Sequence, residues 1–338
     1  LVTGNWLRNM KLSDFDYILP KELISQFPLK ERDQAKLMVL NRKNNTIEHR
    51  LFKDITEYLK KDDLMVLNNT KVLPARLHGF RATKGKVEVL LLERRAAGTF
   101  RALIRPSRVK TGERIFFDGG MVFGVVKDRS EIQFNTKDSR RIYALGTMPL
   151  PPYIKRDPED SDKSDYQTVY AKVEGAIASP TAGLHFTKDL IGKINSLGVR
   201  FAPLTLHVGV GTFRPVKTED IAEHRMEPEY FLIPPVSIRL IEEARLNRKR
   251  ILAVGTTSLR GLETYALGVK EGLTDLFIYP GARFNLVKCL LTNFHLPRTT
   301  LFMLVCAFGG EKLIKRAYQE AIEKKYRFYS YGDAMLIG

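Results

Sequence analysis

Seven short segments of alternating apolar and polar residues follow one another between Arg76 and Met148, at 77–81, 86–93, 99–104, 114–117, 121–127, 131–135 and 140–145. Alternation with period two sends successive side chains to opposite faces of a strand, and turn residues recur about every ten positions. A small antiparallel barrel or sandwich is predicted. No helical period occurs inside this block, whereas strand and helix patterns alternate on both sides of it. The fold class expected is therefore mixed α/β, with a larger mixed-sheet domain from residues 10–75 and 149–338 and a small antiparallel β-barrel inserted as residues 76–148. Leu1 to Asn9 reads as a tag or upstream remnant, with Met10 as the start.

Charge separates this insertion further. The 338 residues carry 55 Lys and Arg against 38 Asp and Glu, a formal charge of +17. Residues 76–148 alone hold 16 basic and 7 acidic side chains, so +9 of that charge sits in 73 residues. Such a bias suits a polyanionic partner, the alternative being a basic solvated surface. A barrel so charged can follow a phosphate backbone, and Arg94, Arg95, Arg105 and Arg108 are its candidate contacts. Phe80, Phe100, Phe116 and Phe123 offer stacking faces, although alternation is expected to turn most of them into the core. Only Cys289 and Cys306 occur, without metal-ligand or disulfide spacing, and no apolar run is long enough for a membrane span. A cytoplasmic protein without a metal is expected.

Outside the insertion, polar residues cluster where strand patterns end. The stretch Gly175-Ala-Ile-Ala-Ser-Pro-Thr-Ala-Gly-Leu-His-Phe-Thr187 joins small residues, which let a ligand approach the backbone, to the hydroxyl and imidazole groups of Thr181 and His185. Thr187 reads as the N-cap of a helix closed by Gly198. His185 thus lies just before a helix N-terminus; a buried turn whose imidazole serves packing alone is the other reading. The strand 64–67 ends in Asn68-Asn69-Thr70-Lys71, which reads as an Asx turn or as a ligand contact. The strand 251–254 runs into Thr256-Thr257-Ser258-Leu-Arg260, more hydroxyls than a helix cap uses, which points to a carboxylate or phosphate site. Gly209-x-Gly211 lacks the third glycine and is followed by Pro215, so a dinucleotide fold is rejected. Further strands are expected at 166–171 and 275–279. A capped turn at 218–222 and a turn carrying Asp333 complete the pattern.

Taken together, these stretches resemble the S-adenosylmethionine:tRNA ribosyltransferase-isomerase family of queuosine biosynthesis. The likeness is carried by Phe15 to Pro20, Val66 to Arg76, Pro149 to Lys155, Pro180 to Thr187, Leu206 to Phe213, Val254 to Arg260, Thr292 to Pro297 and Tyr326 to Ile337. It covers the chain from Met10 onward. One departure is Glu227, which stands where the family often has a second His; Glu229 and Tyr230 match.

The resemblance implies an enzyme that moves the ribosyl part of S-adenosylmethionine onto 7-aminomethyl-7-deazaguanine at the wobble position of a tRNA. The products implied are epoxyqueuosine in tRNA, adenine and methionine. S-adenosylmethionine is consumed as donor, and no bound cofactor is implied. Because the sulfonium acidifies the C5′ hydrogens and departing adenine wants a proton, His185, His207 and His295 are expected around the reacting ribose. Thr181, Gly183, Thr256, Thr257, Ser258, Arg260, Asn293 and Asp333 are expected to bind substrate, and the four barrel arginines the tRNA. A monomer is expected. The competing readings are a non-catalytic RNA-binding module and an S-adenosylmethionine methyltransferase, the latter lacking its glycine-rich first turn.

Overall fold

Four apolar runs, Leu64–Asn68, Arg200–Leu206, Ile251–Val254 and Val287–Asn293, form the parallel centre of a nine-stranded mixed sheet. In the computed structural model, which describes residues 10–209 and 216–338, the strand order is 271–274, 229–232, 200–206, 64–68, 251–254, 287–293, 334–337, 36–41, 46–51. The first nine residues and most of the Gly209 to Pro215 stretch lie outside the described residues. Burial on both faces explains the unbroken apolar runs. Leu64, Val66, Ile251 and Ala253 face one core with the helices Pro235–Leu246, Thr256–Ala266, Thr300–Gly309 and Glu311–Glu323. Met65, Leu67, Leu252 and Val254 face another with Lys188–Ser196. Strand Ala334–Ile337 runs antiparallel to Val287–Asn293, so Asp333 begins at the edge where Asn293 ends.

The inserted block is a six-stranded antiparallel barrel. Arg76–Arg81, Lys86–Ala96, Thr99–Arg105, Glu131–Phe134, Val122–Asp128 and Arg114–Phe117 are neighbours in that order, and pairing of the last with the first closes the ring. Leu77, Val89, Phe100, Ala102, Ile115 and Ile132 fill it. The expected seventh strand at 140–145 is instead the helix Ser139–Ala144. Asp138 caps it by accepting the Arg140 N–H at 2.9 Å, and Ile142 is the one residue it buries, against the barrel core. Two other expectations shift for similar reasons. Residues 166–171 form turns rather than a strand, and the edge strand is Glu271–Thr274 rather than 275–279. At residues 218–222 the cap is Asp220, opening a short turn Ile221–Glu223.

Where the central strands separate, one side chain replaces the ladder. Asn68 is fully buried; its Oδ1 accepts from Leu206 N–H at 3.0 Å and Thr70 N–H at 3.2 Å, and its Nδ2 donates to the Leu206 carbonyl at 2.8 Å. Asn69 closes a second bridge, accepting the Thr205 hydroxyl at 2.7 Å. Both are interstrand staples. Asn68→Ala leaves buried donors and an acceptor unpaired, each worth about 1–3 kcal/mol. Urea denaturation of that variant is expected to show a loss of about 2–4 kcal/mol; a loss near zero would remove the staple's role.

Candidate functional site

The carboxyl ends of the parallel strands open onto a small recess, of about 40 Å³, walled by Ser179, Thr181, Thr256, Thr257, Asn293 and His295. Ligands in open α/β sheets gather at this edge. The turn Thr181–Gly183 crosses it because Thr181 Oγ1 donates to Asn293 Oδ1 at 2.9 Å. Thr256 and Thr257 are in the first turn of the helix Thr256–Ala266, which starts at Gly255 without a side-chain cap. Their hydroxyls therefore are not spent on capping. Tyr153, Tyr329 and Ser330 form the opposite wall, with Tyr153 and Ser330 hydrogen-bonded to each other.

Of the three histidines, only His295 lines this recess. Its Nε2 lies 2.8 Å from Thr292 Oγ1, its N–H donates to the Tyr318 hydroxyl at 2.9 Å, and its carbonyl accepts the Tyr17 hydroxyl. His185 sits behind Asn293, which donates to its Nε2 at 3.3 Å; Phe52 covers one face of the ring, centroids 4.9 Å apart. That imidazole faces a separate, smaller cavity with Arg32, Asp165 and Arg327. His207 borders neither cavity. It bonds Thr70 Oγ1 at 2.8 Å, stacks on Tyr230, and lies under Gly175, where an added Cβ would meet the ring at 2.7 Å. The structure thus sets His185 behind Asn293, which lines the same recess as His295, and does not bring His207 to them.

Four expected substrate ligands are turned to internal work. Arg260 is buried, paired with Glu229, and donates to the Leu276 carbonyl at 3.0 Å and the Thr274 carbonyl at 3.4 Å. Asp333 is likewise buried, accepting from Arg327 side chain and backbone and from Lys36 N–H at 3.1 Å. Ser258 donates to the Val254 carbonyl one helical turn back, at 2.8 Å. At Gly183 a Cβ would stand 2.0 Å from the Tyr170 hydroxyl, so packing requires the glycine. Sequence patterns show polarity at a strand end but not the internal partner that uses it.

Ser179 was not singled out by sequence. Ser179 borders the recess, and its hydroxyl is buried and has no hydrogen-bond partner. A serine directly before Pro180 in the small-residue loop was the available signal. Tyr153, Tyr329 and Ser330 were legible only as a stiff Pro-Pro-Tyr segment and a turn. Arg94, Arg95, Arg105 and Arg108 are all exposed on the barrel; Arg95 pairs with Glu93 at 3.1 Å and Arg105 borders a cleft against residues 149–158. Among the described residues no group of three or more His, Cys, Asp or Glu is placed to hold a metal ion, and no helix is long and apolar enough to cross a membrane. Cys289 and Cys306 are free and buried, and burial pushes both thiols up to about 12.

Helices on both faces of a mixed sheet with a parallel centre, a polar recess at the carboxyl edge of that centre and an inserted basic barrel are the architecture of an α/β enzyme with a second, all but helix-free domain. The family model described as queuosine biosynthesis protein matches residues 12–337. Curated relatives named S-adenosylmethionine:tRNA ribosyltransferase-isomerase are 52% identical in Sulfurihydrogenibium sp. and 50% identical in Thermotoga maritima, each alignment covering 97% of this chain and 100% of the relative. A crystal structure of S-adenosylmethionine tRNA ribosyltransferase from Thermotoga maritima matches with a TM-score of 0.57 at 40% identity, over 96% of this chain and 100% of that one. The chain belongs to the queuosine biosynthesis protein family of enzymes.

Burial sets the protonation of the site. It lowers the His185 ring to about 4, against a smaller upward pull from Asp333, and the His295 ring to about 3; His207 is lowered by the same cause. All three are neutral at pH 7, so they accept protons or hydrogen bonds there rather than acting as imidazolium donors. Unfolded histidine takes up its proton near pH 6.5, so between that pH and about 4 the unfolded chain binds more protons than the folded one. Stability is therefore complete above the unfolded value and falls as pH drops below it. The expected slope between pH 6.5 and 5, where carboxylates contribute little, is about 1.4 kcal/mol per pH unit for each such histidine. Urea midpoints across that window should fall for the wild type and fall less for His185→Asn with His295→Asn; parallel slopes would contradict it.

Proposed function

We propose that this enzyme transfers and isomerises the ribosyl moiety of S-adenosylmethionine onto 7-aminomethyl-7-deazaguanine at the wobble position of a tRNA, releasing adenine and methionine. The observation that carries the reading is that neutral His295 and Ser179, whose hydroxyl has no partner, border one recess at the sheet edge in a chain with a barrel rich in cations. Hydroxyls of Thr181, Thr256 and Thr257, with that of Ser179, suit the ribose or the methionine carboxylate, and the Asn293 amide bridges Thr181 to His185. The sulfonium acidifies the C5′ hydrogens. His295 is the base of first choice by its place in the recess, while burial weakens it as a proton acceptor, and the substrate's own aminomethyl group is its rival. His185 positions Asn293. His207, held by Thr70, supports the adjoining wall.

S-adenosylmethionine is consumed rather than retained, tRNA is the second substrate, and a cytoplasmic monomer is part of the same proposal. The recess takes a water-sized group, while whole-ligand pockets are about 300–1,000 Å³.

Incubation with S-adenosylmethionine and tRNA bearing the deazaguanine precursor is expected to give free adenine and a nucleoside heavier by the rearranged ribosyl group. S-adenosylhomocysteine would mark a methyltransferase instead, and RNA binding without adenine release a binding module. His295→Gln should abolish adenine release while tRNA affinity is kept. Ser179→Ala removes a buried hydroxyl that has no partner, so thermal stability is expected to hold or rise while KM for S-adenosylmethionine climbs about tenfold, the worth of one hydrogen bond. A drop in stability with unchanged KM would make Ser179 structural.

A further inference from the structure

The four barrel phenylalanines do not share one environment. Phe100 is buried in the barrel core, whereas Phe80 is 51% exposed. Phe80 pairs in register with Phe116, and Phe116 with Phe123, so three rings form a row across adjoining strands on the outer wall. Their strand neighbours Ile115, Phe117 and Val122 point into the core instead. Lys86 extends the row beyond Phe80, and the Arg114 guanidinium lies 5.1 Å from the Phe123 ring centroid. Most of these phenylalanines are therefore outside the core, which reverses the expectation from alternation.

Phe80, the end of this row, lines a groove. Two cavities, about 830 and 550 Å³, share His78, Glu88, Arg105 and Pro106, and together they run from Ile177 to Phe80. Ile177 lies two residues before Ser179, so the groove starts at the back of the recess wall. Lys86 and Arg105, which line it, have no carboxylate partner among the described residues. An apolar protein partner would bury these charges without compensation. A nucleic acid strand would neutralise them with phosphates while its bases meet the rings.

We propose that the outer barrel wall is a stacking track for a single-stranded polynucleotide, with unpaired bases on Phe80, Phe116 and Phe123 and phosphates toward Lys86, Arg105 and Arg114. The inference rests on the tRNA reading above and assigns the wall that takes the RNA strand. Stacking tolerates any base because every base has a π-face, and flanking cations fix the backbone path.

Binding of a fluorescent single-stranded oligoribonucleotide of mixed sequence to the full chain, followed by anisotropy over a range of salt, tests it. Phe80→Leu and Phe116→Leu, which keep apolar area but lose the ring, are expected to weaken binding at least fivefold each without changing the salt slope. Phe80→Tyr and Phe116→Tyr should bind like wild type, and so should Leu246→Ala, an exposed apolar control on a distant helix. Lys86→Gln and Arg105→Gln should each lower the slope by about 0.7. Leucine variants that bind RNA normally would overturn the track, as would a wild-type dimer in sedimentation that Phe116→Leu dissociates without loss of RNA affinity. Adenine release is measured separately with saturating precursor tRNA. Oligonucleotide binding that depends on the rings, with no adenine released, would leave the track standing and remove the reaction.

Discussion

Parallel strands diverge at their carboxyl ends, because each chain must leave for its helix, and the divergence strips backbone groups of their ladder partners. Asn68 meets that constraint. Its amide takes both backbone groups of Leu206 and the N–H of Thr70, and it reaches Thr257 Oγ1 at 3.4 Å. Thr70, fixed in this way, holds the His207 ring, and Thr257 is aligned in the first turn of its helix. Thr257, which Asn68 reaches in this way, is one of the residues that line the recess.

Electrostatics at this edge follow from the same packing. Buried charges here are paired: Arg260 with Glu229, Arg327 with Asp333, and Arg156 with Asp162, whose carboxylate also accepts the Tyr331 hydroxyl at 2.8 Å. Burial alone would raise the Asp162 carboxyl, but the two Arg156 bonds and its other donors hold it below the usual range. These pairs tie residues 156–165 and 327–333 to the sheet edge. The groups left for a ligand are the neutral ones, hydroxyls, an amide and an uncharged imidazole. Such a set places no internal cation in the recess to compete with a positively charged ligand.

The inserted barrel divides its labour between its two faces. Inside, Phe100 meets Phe134 and Tyr143 edge to face at 5.9 and 5.8 Å and gives the barrel its core. Outside, rings and cations share a surface that contributes little to folding. Since the barrel closes on itself through the pairing of Arg76–Arg81 with Arg114–Phe117, it presents no free edge, and its outer wall is available for contact.

The sequence by itself determined the mixed α/β class with its small antiparallel β-barrel, the family and most of the polar residues at the strand ends, since periodicity and local motifs are properties of neighbours along the chain. The buried runs at 64–67 and 251–254 were legible because both faces of a parallel strand are covered. What tertiary structure decided was which polar groups remained unspent. Arg260 and Asp333 carry the same motif signal as Thr256 and Asn293, yet partners 31 and 6 residues away, Glu229 and Arg327, consume them. Phe116 and Phe100 both alternate within strands, and only the register of barrel closure sends one outward and the other in. Such outcomes depend on contacts between distant segments, and a pattern local to the chain does not encode them.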